Sequence, residues 1–157
     1  MTELPVFPWA RATELYSPPV YFPSIMQLSG IHHIALNVSD LDRAERFYTD
    51  VLGFTVARRF SKGLRHIMLD TGNSYIALFE APDLETLQHI EQLSETGYMH
   101  FAFKADRERF RLAIEELKAN KVDIGEGPVR RGDGDSVYFN DPDSNHLEIH
   151  CDDGDHS

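Results

Sequence analysis

The sequence predicts an α+β fold: two βαβββ modules whose curved sheets surround a shared cup. Three observations carry this expectation. The chain repeats itself at low similarity. Each repeat passes from the two-residue period of strands to the 3.6-residue period of a helix and back, in the same order. His33, His100 and Glu148 fall at repeat-equivalent positions.

Module one spans residues 28–81. A strand over 31–38 alternates Ile34, Leu36 and Val38 with His33, Ala35 and Asn37. Ser39 is the expected N-cap of a helix, with Asp40 and Asp42 in its first turn favoured by the helix dipole. Leu41, Ala44, Phe47, Tyr48, Val51 and Leu52 keep helical spacing, and Gly53 ends the run. Strands are expected over 55–60, 64–70 and 75–80, with Thr71, Gly72 and Asn73 as a turn. A linker over 82–97 carries a short helix with Leu84, Leu87, Ile90 and Leu93 as its stripe.

Module two spans 98–152. His100 precedes Phe101 and Phe103 on an opening strand. A helix over 106–120 points Phe110, Ala113, Ile114 and Leu117 inward. Gly125, Gly127 and Pro128 predict a loop, and strands over 136–140 and 146–150 flank the turn-forming residues 141–144. Residues 1–27 read as an irregular Pro-rich and aromatic extension, and 153–157 as a loose acidic tail.

The repeat pairs His33 with His100, and residues 66–80 with a segment opening at Ser136. Ala77 then falls on Glu148. Positions 33, 77, 100 and 148 form one set, and three of the four hold metal-capable side chains. Two imidazoles and a carboxylate suit a divalent first-row metal and leave coordination positions open for substrate or oxygen. By strand parity His66, Ser136, Tyr138, His146 and His150 share the polar face, as substrate contacts or partners of the ligands, although packing or solvent exposure explains each one alone equally well. His32 should face away and be structural. Arg130 and Arg131 precede Ser136; they either meet an anionic substrate or belong to a solvated loop.

Composition narrows the class. Formal net charge is −11, which excludes nucleic acid or an anionic membrane as the main partner and leaves a small-molecule substrate. Cys151 is the single cysteine, so no intrachain disulfide forms, and the composition fits a cytoplasmic protein. No apolar run reaches the roughly 20 residues that span a bilayer.

The segments HHIALNVSDLDRAERFYTDVLGF, YMHFAF and GDSVYFNDPDSNHLEIH resemble the vicinal oxygen chelate superfamily, which includes glyoxalase I, extradiol dioxygenases, fosfomycin-resistance proteins and bleomycin-binding proteins. The resemblance covers residues 30–152. It implies His33, His100 and Glu148 as metal ligands. Ala77 stands where glyoxalase I carries a fourth, carboxylate ligand and can neither ligate nor act as a base. Tyr138 matches a tyrosine of the extradiol dioxygenases. Val129, Arg130 and Arg131 occupy the stretch of their acid–base histidine, for which His66 or His146 would have to substitute. The loop from Gly134 to Tyr138 resembles the cation loop of fosfomycin-resistance proteins. Ala35, however, replaces a threonine important for the phosphonate, Pro128 falls near an expected basic residue, and a later arginine is lacking, which argues against fosfomycin itself.

The leading expectation is an oxidoreductase: an extradiol-type dioxygenase using iron as Fe(II), with Mn(II), Ni(II) or Zn(II) as alternatives. Tyr138, His66 and His146 would serve catalysis; Ser136, Arg130 and Ala77 would line the substrate. A glyoxalase-like lyase or isomerase, a fosfomycin-resistance-like transferase, and a drug- or metabolite-binding protein without turnover are the alternatives. A homodimer is expected, and the sequence leaves open whether one chain or two complete the site.

Overall fold

The computed structural model describes residues 29–83 and 99–154. The N-terminal extension, the linker from residue 84 onward with its expected helix, and the last three residues lie outside the described residues. Every helix and strand among the described residues belongs to the unit Ile31–Ser157.

Module one contains β1 (His33–Val38), α1 (Leu41–Arg46) continued by a π-helical turn (Phe47–Val51), β2 (Thr55–Phe60), β3 (His66–Asp70) and β4 (Tyr75–Glu80). Module two contains β5 (Phe101–Lys104), α2 (Arg107–Ala119), β6 (Ile124–Arg131), β7 (Gly134–Asn140) and β8 (His146–Asp152). The sheets run β1-β4-β3-β2 and β5-β8-β7-β6, the same topology twice. The register repeats as well. Ala35 and Met68 flank Ala77 across the strands of the first sheet, and Ala102 and Tyr138 flank Glu148 in the second. The α+β architecture of two βαβββ modules is therefore the one expected.

Two local expectations need correction. The N-cap of α1 is Asp40, whose carboxylate accepts from the Arg43 amide at 2.9 Å. Ser39 is drawn away instead: its hydroxyl donates to Asp143 Oδ1 at 2.5 Å. The predicted loop at Gly125, Gly127 and Pro128 is the edge strand β6, with register shifts on both sides of Glu126. Gly127 has φ +113°, and a Cβ there would lie 2.6 Å from the Ser136 carbonyl oxygen. Glycine permits that approach, and an edge position tolerates proline's missing N–H.

The helices cover one face of each sheet. Leu36, Val38, Ile67, Leu69, Ile76 and Leu78 are buried with Leu41, Ala44, Phe47 and Tyr48, and this cluster continues into Val137, Phe139, Leu147, Ile149, Phe110 and Leu117. Cys151 belongs to it and is fully buried, on the core side of β8 rather than beside the polar face. Polar contacts also join the modules. Tyr48 donates to Asp141 at 2.9 Å, and Asp143 Oδ1 accepts from the Ser39 amide and hydroxyl and from Arg43. Burial raises the Asp141 carboxyl above its ordinary value, against the hydrogen bonds it accepts from Asn145, Tyr48 and the Asp143 amide. The start of the tail is held: the Asp153 amide donates to the Asp133 carbonyl, and its carboxylate pairs with Arg130.

Candidate metal centre

Among the described residues no helix packs on the opposite faces of the two sheets, and these carry the candidate residues. In module two, β5 and β8 run parallel with Ala102 beside Glu148, so His100, one step ahead of β5, reaches the same carboxylate. His100 Nε2 lies 2.8 Å from Glu148 Oε2. Ser136 donates to the other oxygen, Oε1, at 2.5 Å, and its hydroxyl is 2.9 Å from His150 Nδ1. His150 Nε2 is 3.1 Å from Asp152 Oδ1. A chain of polar contacts thus runs from His100 through Glu148, Ser136 and His150 to Asp152.

Tyr138 is buried beside this chain, its ring 5.8 Å from that of His100 and stacked at 5.8 Å on His146. Burial first, and then the charge of Glu148, raises its hydroxyl above the ordinary phenol value. Tyr138 therefore stays protonated near neutral pH and can donate a hydrogen bond. His146 Nδ1 is 3.0 Å from Asn140 Oδ1, which orients the ring. Arg131 stands over Tyr138, 5.7 Å from the ring centroid, and pairs with Glu126 at 2.7 Å. Its Nε is buried with no hydrogen-bond partner among the described residues. Arg130 pairs instead with Asp153, and with Asp135 at 3.8 Å.

Gly134 carries no sequence signal beyond its place in the loop pattern. A Cβ there would lie 2.6 Å from the His150 ring. Its importance comes from the close approach of two strands, which no local sequence pattern reports.

In module one the same face holds His33, Ala77 and His66. Ala77 is buried between β1 and β3. His66 is sandwiched between Phe60 and Phe79, with ring centroids 4.2 and 4.5 Å away, and its Nδ1 is 2.7 Å from the Leu64 carbonyl oxygen. His33 Nδ1 lies 2.9 Å from His32 Nδ1. Strand parity would turn His32 away from His33, but His32 precedes β1 and turns towards Tyr75, with ring centroids 5.4 Å apart.

The structure brings His100, Glu148, Ser136, Tyr138 and His146 together. It does not bring His33 to them within one chain. Among the described residues, the set of three metal-capable groups with donor atoms within 4.8 Å of one another is Asp133, His150 and Asp152. Those carboxylates lie at an exposed edge, where Asp152 also pairs with Lys104 at 3.2 Å. The His100–Glu148 pair does fit a metal: two neighbouring ligands at about 2.1 Å from one ion stand about 3 Å apart.

Paired βαβββ modules of one topology, with a histidine–carboxylate pair on one sheet face, place the chain in a single superfamily. The chain belongs to the glyoxalase/bleomycin resistance protein/dioxygenase superfamily, whose family model matches residues 30–149. It is similar to the metallothiol transferase FosB of Staphylococcus epidermidis, 33% identical over 126 residues, 80% of this chain and 83% of that one. It is similar also to the glutathione transferase FosA of Serratia marcescens, 31% identical over 78% of this chain and 81% of that one. A crystal structure of a mutant of the fosfomycin resistance protein FosX from Listeria monocytogenes, complexed with Mn(II) and 1S,2S-dihydroxypropylphosphonic acid, matches with a TM-score of 0.65. It is 26% identical and covers 80% of this chain and 94% of that chain.

These findings overturn the expectation of an extradiol-type dioxygenase. FosB and FosA are named as transferases, not oxidoreductases, and the metal in the FosX complex is manganese, not iron. In the site, Arg131 stands over Tyr138 from the stretch where a dioxygenase would carry its acid–base histidine, and His146 is the histidine that stacks on Tyr138. No helix of the described residues is long and apolar enough to cross a membrane.

Proposed function

We propose that this chain is a divalent-metal-dependent transferase of the fosfomycin-resistance type, which adds a thiol to a small, oxygen-chelating electrophile. The observation that carries the reading is the His100–Glu148 pair at 2.8 Å, with Ser136 bonded to the second carboxylate oxygen. His33, His100 and Glu148 are the proposed ligands. The metal would supply Lewis acidity to a substrate oxygen. Ser136 and His150 hold the Glu148 carboxylate in one orientation. Tyr138, protonated, donates a hydrogen bond to the oxygen on which charge develops as the carbon–oxygen bond breaks. The buried N–H of Arg131 offers a second donor beside it. The new carbon–sulfur bond forms as the carbon–oxygen bond breaks, and the thiol proton ends on the released oxygen.

His33 stands apart from the pair in one chain, so we assign it to the site of a second copy. The homodimer then completes two centres, each from module one of one chain and module two of the other.

The test is thiol consumption in the presence of Mn(II), with glutathione or cysteine and a panel of epoxides that includes fosfomycin. Thioether formation that needs the metal and is lost in Glu148→Gln is the expected result. A metal-loaded protein that consumes no thiol across the panel would sink the reading.

A further inference from the structure

We propose that the face of module one opposite α1 binds a flat aromatic group bearing an acidic substituent, at the far end of the substrate from the metal. The inference rests on the transferase reading and names the substrate class of that same site.

His32, Ala57, Arg58, Phe60, Met68 and Tyr75 line a cavity of about 290 Å³. A cavity of about 150 Å³ suffices for benzene. The cavity adjoins a proposed ligand: the His32 ring lies 5.2 Å from that of His33 and 5.4 Å from that of Tyr75, and Tyr75 is the cross-strand partner of His33. The neighbouring rings Phe60, His66 and Phe79 already stack with interplanar angles of 9° and 14°, so this face arranges flat groups in parallel. Phe60, Tyr75 and Met68 are only half-buried, because α1 packs on the other side of the sheet. Aromatic surface left in water gains when a second apolar surface covers it.

Arg58 sets the charge. It is exposed, and its guanidinium lies 5.7 Å from the Phe60 centroid. Among the described residues it has no carboxylate partner, as is true also of Arg46 and Arg111, but of these three Arg58 alone lines the cavity. Such an arginine at the mouth of an aromatic cavity, in a chain of net charge −11, suits an anionic group on the ring. The repeat supports this division. His66, Met68, Ala77 and Phe79 stand where module two has Ser136, Tyr138, Glu148 and His150, so one end of the cup is polar and the other aromatic.

The experiment is calorimetric titration of the full-length, Mn(II)-loaded protein with methylphosphonate, phenylphosphonate and 4-carboxyphenylphosphonate. Phenylphosphonate should bind about tenfold or more tightly than methylphosphonate, from the apolar area it covers. The carboxyl group should add a further few-fold. Tyr75→Ala and Phe60→Ala should lose the phenyl preference and keep the affinity for methylphosphonate. Arg58→Gln, an exposed change that leaves the core intact, should lose only the increment from the carboxylate. Equal affinities for methyl and phenyl, no binding of either, or a preference that survives both aromatic variants, overturns the inference. Mn(II) binding is read separately by electron paramagnetic resonance. Its absence in the wild type overturns the transferase reading, and this inference falls with it. Bound Mn(II) without phenyl preference overturns this inference alone.

Discussion

The two sheets share one topology and one register, yet the faces opposite their helices differ in chemistry. In module two, Glu148 gathers His100 and Ser136, and Ser136 reaches His150. In module one the position of Glu148 is Ala77, and aromatic rings replace the hydroxyl and imidazole at its sides. A duplicated fold needs only one half to hold the charged centre. The other half, freed of that duty, carries His33 and a stack of aromatic rings on the corresponding face. Specificity on this fold is therefore to be sought on the face without the carboxylate.

The contrast breaks first at Glu148. Glu148→Gln keeps the shape and removes the charge, and should abolish stoichiometric Mn(II) binding while leaving the circular dichroism melt intact. The two faces also depend on the contacts that hold the modules in one unit. Asp143→Ala leaves the Ser39 amide, the Ser39 hydroxyl and Arg43 without their shared acceptor, and should cost about 2–3 kcal/mol in urea unfolding. Gly134→Ala drives a methyl against the Cys151 carbonyl oxygen and the His150 ring, so β7 and β8 must part there, and it should weaken Mn(II) binding about tenfold by shifting the Ser136–Glu148 contact without touching a ligand.

The smallest effect concerns pH. Asp141 has a folded-state pKa above its ordinary value of 3.8, raised by burial. Its contribution to stability is therefore fully present below that value and is lost as pH rises through the folded one. Glu45, held down by its hydrogen bonds to Arg59, acts in the opposite sense and loses its contribution as pH falls. Asp141→Asn removes the opposing group. Its unfolding midpoint in urea should fall more steeply than that of the wild type between about pH 7 and about pH 3.

Much of this was legible in the sequence because it is local or periodic. Alternation assigned His33, Ala35 and Asn37 to one face of β1, and the repeat aligned Ala77 with Glu148, as the registers show. What was missed depends on distant partners. Ser39 looks like an N-cap until Asp143, 104 residues away, takes its hydroxyl. The Gly-Pro signals in β6 mark a loop and an irregular edge strand equally well, and only the Ser136 carbonyl shows why glycine stands at position 127. The reaction was legible only as one alternative, the fosfomycin-resistance-like transferase, ranked behind a dioxygenase, because two histidines and a carboxylate serve oxygen activation and group transfer alike. The contacts around Tyr138, where Arg131 stands in place of an acid–base histidine, exist only once β6 is paired with β7.

The central claim is that each metal centre joins His33 of one chain to His100 and Glu148 of another. It is tested most directly by mixing two inactive variants, His33→Ala and Glu148→Ala, after unfolding and refolding them together. Each alone should hold no stoichiometric Mn(II). Random pairing makes about half of the dimers mixed, each with one intact site of two, so about a quarter of the wild-type Mn(II) should return. No Mn(II) recovered in the refolded mixture, from a wild type that binds Mn(II) after the same treatment, would contradict the shared centre.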